Sequence, residues 1–166
     1  MLTGLSLKTI LRKESKLNDL KCQKVLKPIL EALEYMHSLN ISHRDIKLEN
    51  IMIDSEGNPK LIDFGFSIKS SKKLKFFCGT LPYMPPEIMN KKEYLGPLVD
   101  IWAFGILIYT LLTGKFPFQG LSEKDLMHKI QIGTFIIPKE VSSKARIAIK
   151  KLLNVDMNNR ITSKEV

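Results

Sequence analysis

His43-Arg44-Asp45-Ile46-Lys47-Leu48-Glu49-Asn50 is followed at once by Ile51-Met52-Ile53 and, after a turn, by Leu61-Ile62-Asp63-Phe64-Gly65. A charged loop thus lies between two short apolar, β-prone runs, the second ending in an aspartate ahead of a glycine-containing turn. A candidate base (Asp45), a cation (Lys47) and two hard oxygen ligands (Asn50, Asp63) fall on loops beside strands. Amide and carboxylate oxygens suit Mg²⁺ rather than a thiolate-seeking metal. A carboxylate and an ammonium separated by one residue can both face a hydroxyl that is about to be phosphorylated. The set points to phosphoryl transfer.

Taken together and in order, with Lys47 and Asn50 at their places, these elements resemble the catalytic loop and D-F-G motif of eukaryotic protein kinases. Ile46 stands where the family has Leu, an apolar swap of equal bulk. The resemblance runs from about residue 5 to residue 162. It implies that Asp45 is the base accepting the substrate hydroxyl proton and that Lys47 neutralises charge on the γ-phosphate, as in serine/threonine kinases. It implies that Asn50 and Asp63 hold Mg²⁺ across the phosphates of ATP. Glu49 is then expected near the ribose, and Met52 under the adenine as an apolar platform. Thr80 of Cys78-Gly79-Thr80 is expected to hydrogen-bond Asp45 and Lys47, and His43 to pack on Phe64. Asp100 of Asp100-Ile101-Trp102-Ala103-Phe104-Gly105 would hold the catalytic-loop backbone from below. Glu87 and Arg160 resemble the buried ion pair that ties the activation segment to the helical lobe. Phe77-Cys78-Gly79-Thr80 and Tyr109-Thr110-Leu111-Leu112-Thr113-Gly114 resemble calcium/calmodulin-dependent and AMP-activated-type kinases.

The same resemblance sets expectations for partners and control. The implied partners are ATP and a protein carrying a Ser or Thr acceptor. Arg44 corresponds to the residue that usually pairs with a phosphate on the activation segment, but the phosphorylated position is here Phe76. Three states of that segment follow: ordering by packing of Phe76 and Phe77, ordering by phosphate at Ser70 or Ser71, or no ordering. Glu49 is one of two carboxylates the family uses for a substrate arginine, and the other position holds Thr110. The expected preference for basic substrates is weak.

With 166 residues and 44% hydrophobic content the chain can bury a core and is most simply one domain. Cys22 and Cys78 are too few and too scattered for a disulfide framework, so a reducing, intracellular setting is expected, cytoplasmic with the nucleus left open. Residues 1–13 lack the continuous apolar core and cleavage site of a signal peptide. The apolar run 101–112 is too short to span a bilayer and reads as a buried helix, so no membrane partner is expected. The net charge of +9 comes from dispersed lysines without interleaved aromatics. Solvated helix faces and an anionic nucleotide account for it more simply than a nucleic-acid surface.

Periodicity predicts a short amphipathic helix over residues 5–13 and a longer one capped by Asn18 or Asp19, with Leu26, Ile29, Leu30, Leu33 and Met36 on one face. Pro28 falls inside the second and is expected to kink it or to cost about 3 kcal/mol at mid-helix. Gly57-Asn58-Pro59 predicts the turn of a small hairpin. Residues 63–87 show no clear periodicity and match the activation segment, with Pro85-Pro86-Glu87 in place of Ala-Pro-Glu. Residues 98–113 are apolar nearly all round, as in a central helix. Ser122 is expected to cap one further amphipathic helix. Ser142 or Ser143 caps another, with Ile147, Ile149, Leu152 and Leu153 inward. Thr162-Ser163-Lys164-Glu165 forms a capping box.

The expected fold class is therefore mainly α, a protein-kinase-like large lobe with a small β-hairpin at the active site. No Gly-rich loop and no partner-seeking Lys–Glu pair precede His43, and residues 1–42 cannot hold the five-stranded lobe that carries them. Residues 1–166 accordingly read as a partial kinase domain, the large lobe alone, cut at both ends and inactive by itself. The alternative is a lobe-only pseudokinase that acts as a protein-binding module.

Overall fold

The computed structural model describes residues 4–166; residues 1–3, part of the stretch read for a leader, lie outside it. The chain enters through strand β1 (Gly4–Ser6) and turns directly into helix α1 (Leu7–Glu14). The helix predicted over residues 5–13 is thus shortened at its start. Ser6 is the reason: its Oγ accepts the Thr9 N–H and caps the helix, which leaves the preceding residues extended. Gly4 has to be small there, since a Cβ would run into the Ile53 carbonyl of the strand beside it.

Helix α2 (Asp19–Ser38) begins at Asn18, whose side chain accepts the Lys21 N–H. It runs unbroken through Pro28. Pro28 and Lys24, whose carbonyl loses its helical donor, both lie on the exposed face. On that face the freed carbonyl is open to solvent rather than stranded in the core, which lets the helix carry a proline at its middle. The opposite face buries Cys22, Leu26, Ile29, Leu33 and Met36.

Strand β2 (Ile41–Ser42) leads into the charged loop, which ends in a single 3₁₀ turn (Leu48–Asn50). Strands β3 (Ile51–Asp54) and β4 (Pro59–Leu61) form the expected hairpin, its turn held by Asp54, whose Oδ1 accepts the Glu56 and Asn58 N–H groups. Two strand pairings lie outside what periodicity could show. β1 joins β3 antiparallel and completes a three-stranded sheet, and strand β5 (Ile68–Lys69) pairs with β2. Each is two or three residues long, too short for an alternating pattern.

After the short helix α3 (Pro86–Met89), helix α4 (Gly96–Thr113) forms the axis of the core, buried on nearly every side. It is longer than the apolar run suggested, and by length and composition it could cross a membrane. Its surroundings give it another role: α2 and the later helix of residues Ser143–Leu152 pack along it, and Trp102, Phe104, Ile106 and Leu107 have almost no exposed surface. Gly114 ends it at φ 73°, donating its N–H to Thr110 O, a left-handed cap that favours glycine. Helices α5 (Glu123–Ile132) and α6 (Ser143–Leu152) start at Ser122 and Ser142. Ile147, expected inward, is exposed, because the inward stripe of α6 is carried by Ile149 and Leu152. Among the described residues there are five strands, all short, and the remainder is helical or irregular. The mainly helical class is what the chain adopts.

Candidate active site

The charged loop is held from inside. Asp100 on α4 is wholly buried, and its Oδ1 accepts the Arg44 N–H at 2.7 Å while its Oδ2 accepts the His43 N–H at 2.9 Å. His37 at the end of α2 donates Nε2–H to the same Oδ2 at 2.9 Å, with its other nitrogen on Ser163 Oγ at 3.0 Å. These bonds hold Arg44 at φ 65°, a conformation a non-glycine residue rarely takes without such restraint. His43 uses both ring nitrogens internally: Nε2 donates to Ile62 O and Nδ1 accepts the Asp45 N–H. Its ring lies 5.0 Å from that of Phe64. Neither nitrogen is left to serve as a base.

Asp45 is the hub. Thr80 Oγ1 donates to its Oδ1 at 2.8 Å, and Lys47 Nζ donates to its Oδ2 at 2.6 Å. Lys47 also donates to Thr80 Oγ1 at 3.1 Å, closing a three-membered ring of charge-assisted bonds. Asn50 Nδ2 donates both to the Asp45 carbonyl, at 2.9 Å, and to Oδ2, at 3.0 Å. A carboxylate this thoroughly held points in one direction only. That is the preorganisation a positioned base needs.

Asp63 is placed by the hairpin. Ile62 N–H donates to Asn50 O at 2.9 Å, which sets the start of the D-F-G turn beside the loop. Asp63 then takes φ 63°, with its Oδ1 accepting the Gly65 N–H. The donor chemistry fits Mg²⁺. Asn50 spends its amide nitrogen on Asp45 and so keeps its oxygen for another partner, and Asp63 is an exposed carboxylate with one oxygen uncommitted. Among the described residues no group of three His, Cys, Asp or Glu side chains could hold a metal by itself. Mg²⁺ is usually bound by one or two carboxylates completed by substrate phosphates and water, so Asp63 with the Asn50 oxygen is a fitting partial set. Met52 is half-buried at the centre of the three-stranded sheet, in register with Ser6 and Lys60. Glu49 is engaged by Lys8, which donates to its Oε1 at 2.7 Å.

The activation segment is ordered, though not by the packing expected of Phe76 and Phe77. Those side chains are 71% and 57% exposed. Order comes from Tyr94. Arg44 Nη1 donates to Tyr94 Oη at 3.3 Å, and Tyr94 Oη donates to Phe76 O at 2.7 Å. The backbones of Leu74 and Tyr94 exchange two further bonds at 2.9 and 3.0 Å, with Leu74 buried beside them. Burial raises the Tyr94 phenol above its ordinary value, so it keeps its proton and remains a donor. Arg44 thus reaches the segment through a phenol where the family uses a phosphate. Its Nε also donates to Phe66 O. Removing one such hydrogen bond costs about 1 kcal/mol. Tyr94→Phe is therefore expected to speed tryptic cleavage at Lys72, Lys73 and Lys75 about fivefold, read by mass spectrometry of the purified chain. Unchanged cleavage counts against the relay.

Glu87 and Arg160 meet as expected, at 2.7 and 3.0 Å, both buried. Arg160 further donates to Leu98 O and Asn154 O and lies 4.9 Å over the Trp102 ring. The structure brings Asp45, Lys47, Asn50 and Thr80 together and sets Asp63 next to them. Three contributors escaped the sequence reading: Tyr94, Lys8, and His37 as a support for Asp100. Each acts on a partner 41 or more positions away, and nothing in its local sequence marks that partner.

A helical lobe whose central helix anchors a His-Arg-Asp loop, with an Asp-Phe-Gly turn beside it, defines the large lobe of a protein kinase. The protein kinase domain family model matches residues 1–166, and the chain belongs to that family. It is similar to sperm motility kinase 3A of Mus musculus, 36% identical over 98% of this chain and 33% of that protein. It is 40% identical to the serine/threonine-protein kinase SIK2 of Gallus gallus over 90% of this chain and 19% of that protein. The carbon catabolite-derepressing protein kinase of Secale cereale is 39% identical over 91% of this chain and 30% of its own length. The chain spans about a third or less of these relatives.

Proposed function

We propose that the chain provides the acceptor side of a serine/threonine protein kinase, passing the γ-phosphate of ATP to a Ser or Thr hydroxyl of a protein. The observation that carries this is the ring of Asp45, Lys47 and Thr80 with Asn50 behind it. Asp45 takes the proton of the acceptor hydroxyl as the oxygen attacks, its carboxylate aimed by Thr80 and Asn50. Lys47 lies against the same carboxylate and lends positive charge where the transferred group gathers negative charge. Asn50 and Asp63 would hold Mg²⁺, which supplies charge neutralisation on the nucleotide phosphates. Met52 supports the adenine from below. Thr80 belongs to the activation segment, so ordering of that segment through Tyr94 supports the base directly. This intact set favours an enzyme over a binding module. Two free thiols accord with a reducing, intracellular site of action, which is part of the same proposal.

The test is a radiolabelled-ATP assay on the 166 residues alone and joined to a small lobe carrying a Gly-rich loop and its Lys–Glu pair. Phosphoryl transfer depends on positioning and charge stabilisation that the two lobes share. The expected result is transfer in the joined protein and none in the bare chain. A joined protein that binds ATP and transfers nothing would end the kinase reading. Asp45-dependent transfer by the bare chain would overturn the part assigned to the second lobe.

A further inference from the structure

Helix α1 reaches over to the catalytic loop through one side chain. Lys8 Nζ donates to Glu49 Oε1 at 2.7 Å, with the two side chains 49% and 38% exposed. The other oxygen, Glu49 Oε2, is shut off from solvent and has no hydrogen-bond partner. One oxygen is therefore occupied and the other withdrawn, so a cation arriving from solution has to displace Lys8 to reach the carboxylate. A carboxylate with one oxygen closed in depends on its remaining counter-charge, which holds Lys8 in place.

Glu49 follows Asp45 by four positions on the loop that receives the acceptor hydroxyl. On the kinase reading, a peptide threaded past Asp45 runs along this part of the loop, where Lys8 covers Glu49 Oε1. Thr110 on α4 adds no carboxylate: it is buried, and its hydroxyl is without a partner. The activation segment that supplies Thr80 also carries exposed Lys72 and Lys73, whereas Lys75 is paired with Glu93 at 3.1 Å. Among the described residues Lys72 and Lys73 have no carboxylate partner, and Asp63, the exposed carboxylate beside the loop, is the one the kinase reading assigns to Mg²⁺.

We infer that Lys8 is a specificity-determining residue: it fills the place on Glu49 that a basic substrate side chain would take, so the chain favours acceptor peptides with acidic residues beside the Ser or Thr. The inference rests on the protein kinase reading above. Lys8→Ala frees Glu49 Oε1, and Lys8→Glu doubles the negative charge there; both changes are on an exposed side chain.

The experiment is a binding array of serine peptides flanked by Asp/Glu, by Ala or by Arg, probed with the purified 166-residue chain and with each Lys8 variant. Thermal melts are run alongside to confirm that the variants are folded. An exposed ion pair changes binding by up to about fivefold. The native chain is expected to bind acidic-flanked peptides about that much more tightly than Arg-flanked ones. Lys8→Ala is expected to level the two, and Lys8→Glu to invert them. Arg-flanked peptides bound best by the native chain overturn the inference, as does a ratio that ignores Lys8. A blank array overturns it too, because every residue invoked lies in this chain. Failure of the kinase reading shows separately, in the transfer assay of the joined protein.

Discussion

Asp45→Asn, in the chain joined to a small lobe, is expected to lower phosphoryl transfer by about 10³-fold with nucleotide affinity unchanged. The geometry explains why the change should be clean. Lys47 and Asn50 both donate to Oδ2, so the asparagine oxygen takes that side. Its amide nitrogen then faces Thr80, whose hydroxyl turns from donor to acceptor. Packing and bonds survive, and only the proton acceptor is lost. Rate is measured with a peptide substrate and affinity by nucleotide titration. Transfer within about tenfold of the parent would remove Asp45 from the base role.

Arg160→Met is the corresponding test of the scaffold. Arg160 is buried with Glu87, so its removal leaves a carboxylate without a partner, and Leu98 O and Asn154 O lose a donor as well. Breaking a buried pair from one side costs about 3–5 kcal/mol. In a domain of this size that corresponds to a fall in Tm of roughly 10 °C. Changing both partners, to Glu87→Leu with Arg160→Met, should restore part of the loss because no charge is then stranded. Melting curves of the single and double variants decide. A single variant that melts within about 2 °C of the parent would show that the pair holds nothing together.

Local patterning in the sequence sets the class of fold and the spacing of the candidate site residues. His43, Asp45, Lys47, Asn50 and Asp63 lie within one short span, so their juxtaposition depends on a loop, a hairpin and a turn that local patterning encodes. The same holds for the caps at Asn18, Ser122 and Ser142 and for the apolar central helix, each a local preference. What restrains those residues comes from long-range packing. Arg44 and Asp63 adopt positive φ because distant groups and a local turn impose it, against their own preference. Packing of Phe76 and Phe77 is one of three states the sequence leaves open for that segment, yet both side chains are exposed and the buried position is taken by Leu74, where the backbone pairs with Tyr94. Lys8 reads as one more helix lysine until the fold sets it against Glu49. A hydrogen bond or ion pair across tens of residues leaves no periodicity in either partner's neighbourhood. Only the packing of α1, α2 and α4 around the loop brings those partners within bonding distance.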